Sequence, residues 1–186
     1  MVQNGGRMKR FCINTLTHSG ADRVQLLYMT IDYFIENTNF DTVDWFIYIN
    51  GSDKPYEGIE RELVSKYPSV KWSITHSSVN YGVGVGINKL NEISKDYEYT
   101  LFLEGDWFTV PENLSFIGKD WLNTSLDLLD ESDISQIFLR KYIDDMDDRQ
   151  YGYGYWIKQE NIISSITKNE IDFLMLREKD YSNNPH

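Results

Sequence analysis

Apolar and polar positions follow two different rhythms along this chain, and the changes of rhythm mark its elements. "RFCINTLT" is a mostly apolar run that predicts a strand ending near Thr17. After "HSGADR", residues Val24, Leu27, Tyr28, Ile31, Phe34 and Ile35 recur at spacings of three and four, which predicts a helix over about 21–37 with one apolar face. "VDWFIYIN" predicts a second strand, closed by the loop "GSDKPYEG". A short helix over about 57–67 then precedes "VKWSITHS", a third strand candidate. The glycine-rich "NYGVGVGIN" leads into a helix on which Val83, Ile87, Leu90 and Ile93 keep the period, and "EYTLFLEGDW" predicts a fourth strand.

Strands alternating with helices in this way predict right-handed crossovers in a mostly parallel sheet, an α/β, Rossmann-like fold with helices on both faces. Beyond Pro111 the alternation weakens. A helix over about 119–130 is expected there, then "ISQIFLRKY" as a strand, the acidic "IDDMDD" and the aromatic "YGYGYWI". No internal repeat is evident. At 186 residues the chain is expected to form one domain over 1–186. Its last residues, "YSNNPH", read as a turn inside a polypeptide, so a C-terminal portion is expected to be missing.

Composition narrows the function classes. Eighteen basic against 29 acidic residues give a formal net charge of -11, which repels phosphate backbones and anionic lipid, so no nucleic-acid partner is expected. A small phosphorylated ligand remains compatible if backbone N–H groups or a divalent cation neutralise it locally. Cys12 is the only cysteine, which excludes an intrachain disulfide and a cysteine zinc site, and its place in a strand predicts a core residue. The start, "MVQNGGRMKR", has no apolar signal region, and no apolar run reaches the roughly 18 residues of a membrane span. No transmembrane segment and a cytoplasmic location are expected.

The glycine run invites a nucleotide reading, but Gly82 and Gly84 are followed by Ile87 where a dinucleotide fingerprint needs its third glycine, and no P-loop motif occurs. The run then serves either close approach of backbone to a ligand or close packing of a helix on the sheet. His18, His76 and His186 fit no zinc-protease spacing, and no nucleophile elbow exists. Glu104 and Asp106 are more informative. Two residues apart at the end of an apolar strand, they are expected on one face at its carboxyl end, where open α/β sheets place ligands. Two oxygen donors there suit Mg2+ or Mn2+, with water and substrate phosphates completing the shell. The plainer reading is two solvated carboxylates, against which Trp107 and Phe108 argue for a partly enclosed setting.

The order of these features resembles the nucleotide-sugar half of a GT-A glycosyltransferase of the family-2-like group, over roughly residues 10–110. "TLTHSG" and "INGSD" stand where that family grips the nucleoside, which implies donor-binding roles for Thr15, Thr17, Asn50 and Asp53, the last on base or ribose. "NYGVGVGIN", with Asn80, Gly82 and Asn88, is similar to the family's Asn-Gly segment before the metal strand. "LEGDW" is similar to variants of its D-x-D motif. The resemblance implies that Asp106 ligates Mn2+ or Mg2+ on the diphosphate, and that Glu104 reaches the ribose or the metal through water. The implied activity is transfer of a sugar from a UDP- or GDP-sugar to a glycan or glycoprotein acceptor.

Departures are visible too. Glu104 and Gly105 stand where aspartate and an acidic residue are more usual, so the site carries less negative charge. The catalytic base of an inverting enzyme is not placed. Asp144, Asp145, Asp147 and Asp148 lie in a suitable region but read more plainly as a solvated acidic loop. "YGYGYW" with Trp156 suits a sheet edge slightly better than a sugar platform. The alternatives are a GT-A-like binding module without catalysis and a sugar-nucleotide nucleotidyltransferase; the latter normally has a basic, glycine-rich loop after the first strand, which this chain lacks. A glycosidase is weaker, because its carboxylates must face each other across the sugar.

Overall fold

The computed structural model describes residues 9–20, 22–106, 118–131, 137, 162–168 and 171–176. The chain divides into two compact units, Met1–Pro111 and Glu112–His186. In the first, β1 (Lys9–His18), α1 (Arg23–Glu36), β2 (Val43–Asn50), α2 (Ile59–Lys66), β3 (Val70–His76), α3 (Val83–Ile93) and β4 (Tyr97–Phe102) follow in order, with a 3-10 turn at Lys54–Tyr56. The strands form one sheet in the order β3-β2-β1-β4, and every pairing in it is parallel.

That order carries the site. From β1 the chain steps outward to β2 and β3, then returns to lay β4 on the other side of β1. Right-handed crossovers in opposite directions must place their helices on opposite faces. So it is here: Phe34 of α1 meets Trp45 edge-on at 5.3 Å on one face, while Gly86 of α3 lies against Leu16 on the other. The reversal between β1 and β4 is a topological switch point, which opens a crevice beyond the strands' carboxyl ends.

The core explains why these residues make these elements. On the α1 face, Ile13, Trp45, Ile47, Leu27, Ile31, Phe34 and Leu63 are all buried, each aliphatic or aromatic side chain contributing about 1.5–3 kcal/mol. Trp45 also stacks on its register partner Trp72 at 5.1 Å. On the α3 face the contact is closer and partly polar. A Cβ on Gly86 would sit 2.5 Å from Leu16 Cδ1, so any larger residue would require the Leu16 side chain to shift. Asn14, fully buried, donates to Ser94 Oγ at 2.9 Å and ties β1 to the end of α3. Cys12 is buried, as its position in the strand implied.

Two expectations need correction. Of the apolar period expected on α3, Leu90 is buried and Ile87 half-buried, whereas Val83 and Ile93 at its ends are exposed and Gly86 joins Leu90 in the buried contact. The fourth strand ends at Phe102, so Glu104 and Asp106 stand in the turn beyond it. Backbone bonds from Leu103 N–H to Asn14 O (2.9 Å) and Gly105 N–H to Leu16 O (3.2 Å) still hold that turn against β1.

In the second unit, α4 (Trp121–Glu131) forms where a helix was expected, with Trp121, Leu122, Leu126 and Leu128 buried. β5 (Ile162–Lys168) and β6 (Ile171–Leu176), for which no element was expected, pair antiparallel. "IDDMDD", "YGYGYWI" and, apart from Ile137, "ISQIFLRKY" lie outside the described residues.

Candidate functional site

A cleft of about 310 Å3 opens beyond the carboxyl ends of β1, β2 and β4. Thr17 and His18 enter it from β1, Arg23 from the first turn of α1, Asn50 from β2, Asn80 and Gly82 from the loop after β3, and Glu104 and Asp106 from the turn after β4. Six of the nine residues expected in a site therefore line one cavity: Thr17, Asn50, Asn80, Gly82, Glu104 and Asp106. The other three do not. Thr15 is enclosed in the core, where its hydroxyl accepts from Trp45 Nε1 at 2.9 Å, because residues two apart on β1 share the α1 face but only the strand's end reaches the cleft. Asp53 is exposed beyond β2 and faces His76 Nδ1 at 3.6 Å. Asn88 is exposed on α3 and lies outside the lining.

Asn50 is an architectural clamp. Its amide donates to Gly82 O at 2.8 Å and accepts from Tyr81 N–H at 2.9 Å, so both ends of a buried side chain fasten the loop that leads into α3. Asn80 Oδ1 accepts from Gly82 N–H at 2.9 Å and closes the same turn. Gly82 has φ 85° and ψ 168°, a conformation nearly restricted to glycine. With these contacts the first turn of α3 is held at the cleft's edge, and the N–H groups of Val83, Gly84 and Val85 have no intrahelical acceptor. A Cβ on Gly84 would meet no atom within 4 Å. The glycine run thus packs at Gly86, as one of the two readings expected, and leaves the backbone uncovered at Gly82 and Gly84.

Gly105 explains its own place in the E-x-D. A Cβ there would lie 3.3 Å from Leu16 O and 3.2 Å from Thr17 Cβ, so a bulkier residue would push the turn away from β1. Glu104 is exposed to the cleft, and Asp106 is ion-paired with Arg23. Both partners of that pair are partly hydrated, with 38% of the Asp106 side chain and 35% of the Arg23 side chain exposed. Beneath them, Tyr56 from the 3-10 turn is buried; its hydroxyl shares a 3.0 Å hydrogen bond with Thr17 and donates to His18 O at 2.7 Å. Burial pushes the Tyr56 phenol above its ordinary pKa, against the opposing effects of the Thr17 hydrogen bond and the Arg23 charge. His18 Nδ1 accepts from Gly20 N–H at 3.1 Å, which leaves the proton of the neutral ring on Nε2.

Sequence reasoning missed Arg23 and Tyr56. For Arg23 the only local signal was a cation in a helix's first turn, facing the positive end of the dipole, and Asp22 at the N-cap masks it. Among the described residues no group of three or more His, Cys, Asp and Glu side chains gathers as a metal cage. The chemistry of the donor set nevertheless fits a hard cation, since Mg2+ and Mn2+ are held through one or two carboxylates with phosphates and water completing the shell. Glu104 and Asp106 open on the same cleft and offer only oxygen. What such an ion must contend with is Arg23.

No family model matches the chain, and no curated protein matches it. Among the described residues no helix is long and apolar enough to cross a membrane.

Proposed function

We propose that this chain is a metal-dependent glycosyltransferase that uses a UDP- or GDP-sugar and transfers the sugar to a glycan or glycoprotein acceptor. The observation that carries this reading is the meeting of Glu104, Asp106 and Arg23 with the open first turn of α3, in one cleft at a topological switch point. Such a cleft offers a diphosphate what it needs: a helix terminus rich in N–H groups, a guanidinium, and carboxylates for a divalent cation.

Asp106, with Glu104 beside it, would hold Mn2+ or Mg2+. The ion, when bound, stabilises the charge that develops on the leaving diphosphate. Thr17 and Gly82 line the cleft, and His18 offers its Nε2–H as a donor. Asp53, exposed beyond β2, is the proposed contact to base or ribose. The amide of Asn50 acts by holding the Tyr81–Gly82 loop.

The second reading is a binding module of the same fold without turnover, and the Arg23–Asp106 pair favours it, because the carboxylate needed for metal already has a cationic partner. Hydrolysis separates the two. The transferase reading expects slow, Mn2+-dependent release of UDP or GDP from its nucleotide sugar without acceptor, abolished in Asp106→Ala. Nucleotide binding with no release over a panel of UDP- and GDP-sugars would favour the module.

A further inference from the structure

We propose that Arg23 is the diphosphate-binding residue of the cleft and that donor binding exchanges its partner, from the Asp106 carboxylate to the phosphate oxygens. This rests on the nucleotide-sugar reading and adds to it a residue and a mechanism of coupling between metal and nucleotide. The starting point is electrostatic. Arg23 opens α1, where the helix dipole disfavours a cation, and although Asp22 stands at the N-cap, the carboxylate that pairs with the guanidinium is that of Asp106. Arginine cannot shed its charge, so an anion within its reach is favoured as a partner. In the free protein that anion is Asp106, 83 residues further along the chain.

The pair can be exchanged. Both side chains are about one-third exposed, so water competes for each and the pair itself contributes little. A diphosphate offers the guanidinium fork more charge and paired oxygens. When Arg23 turns to it, Asp106 is released to a cation. A cation and a guanidinium compete for the same carboxylate in the free cleft, whereas nucleotide and cation assist one another once the fork has a second anion. By linkage the assistance is reciprocal, each ligand tightening the other by the same factor. No bond is made or broken in this step; the cleft only changes which anion Arg23 neutralises.

The exchange has a signature that a structural role lacks, because it moves two affinities in opposite directions. Mn2+ is titrated by electron paramagnetic resonance into the full chain, alone and with UDP, GDP, CDP or ADP, for the wild type, Arg23→Gln and Arg23→Lys. Arg23→Gln should bind Mn2+ alone about fivefold more tightly, the loss of a competing surface ion pair. Its Mn2+-dependent nucleotide affinity should fall about 10- to 100-fold, the loss of a charge-assisted contact. Arg23→Lys keeps the charge but not the fork, and should lie between the two in both affinities, which preserves the test if the glutamine variant folds poorly. Mn2+ affinity that is unchanged or weaker in both variants overturns the exchange while leaving wild-type nucleotide binding, and so the nucleotide-sugar reading, intact. A wild-type chain that binds no nucleotide with Mn2+ takes down both.

Discussion

Asn50 and Asp106 stand beyond neighbouring parts of the same sheet edge, one ending β2 and the other just past β4, on either side of β1. Their surroundings differ in kind. Asn50 is 3% exposed, and backbone groups of Tyr81 and Gly82 occupy both ends of its amide. Asp106 is partly hydrated and held by a side chain that water already reaches. A polar group closed by backbone is part of the architecture, because releasing it loosens the loop it fastens. A polar group closed by a solvated side chain is available, since a ligand can replace that partner at small cost. Both residues resembled site residues in the sequence; the difference in their partners makes Asn50 a clamp and leaves Asp106 as the proposed metal ligand.

The comparison breaks if the two respond alike to substitution. The largest effect is expected at Asp106: Asp106→Asn should lower Mn2+-dependent nucleotide affinity about 100-fold, equivalent to about 2.7 kcal/mol, while urea denaturation moves by less than about 1 kcal/mol. Asn50→Ala should do the reverse in kind, with about 2 kcal/mol lost in urea denaturation from two unmade hydrogen bonds. Gly82→Ala sharpens the same point, since forcing a side chain into φ 85° and ψ 168° should cost about 2 kcal/mol and loosen the loop that Asn50 holds. If Asn50→Ala is as stable as the wild type, the clamp does not exist.

The smallest effect concerns the buried phenol under the ion pair. Tyr56→Phe removes the partner of Thr17 and of His18 O and should cost about 1 kcal/mol at neutral pH. Its pH dependence has a definite sign. Burial raises the pKa of Tyr56, and burial with Glu62 raises that of Tyr28, so the unfolded chain loses these phenolic protons first, from about pH 10. The stabilisation is complete below that pH and is lost as pH rises through the folded-state values. Tyr56→Phe should therefore show a shallower loss of stability above pH 10 than the wild type, followed by denaturation midpoints at a series of alkaline pH values.

Much of the first unit was legible because its signals are local. "VDWFIYIN" became Val43–Asn50, and the spacing of Leu27, Ile31 and Phe34 identified the buried face of α1. The carboxyl end of β4 was legible as the place where acidic residues gather, since an apolar run stops there. What was not legible depends on contacts or on missing atoms. Gly86 contributes nothing to an apolar period, yet its lack of a side chain sets how α3 packs against Leu16. Thr15 and Thr17 look equivalent in sequence; only the position of Trp45 and the end of the strand separate a core hydroxyl from one at the cleft. Arg23 meets Asp106 across 83 positions, a pairing that no short window contains. The β5–β6 hairpin has a local signal in its apolar Ile162, Ile166, Ile171 and Phe173.

The most direct test of the central claim is a thermal-shift panel of UDP, GDP, CDP and ADP on the wild-type chain, each with and without Mn2+. Binding at about 100 times Kd adds about 2.7 kcal/mol, or about 5–10 °C for a protein of this size. A shift of that order for UDP or GDP that needs Mn2+ is the predicted result. No shift with any nucleotide, in the presence of Mn2+ or Mg2+ and on a sample that melts cooperatively, would contradict it.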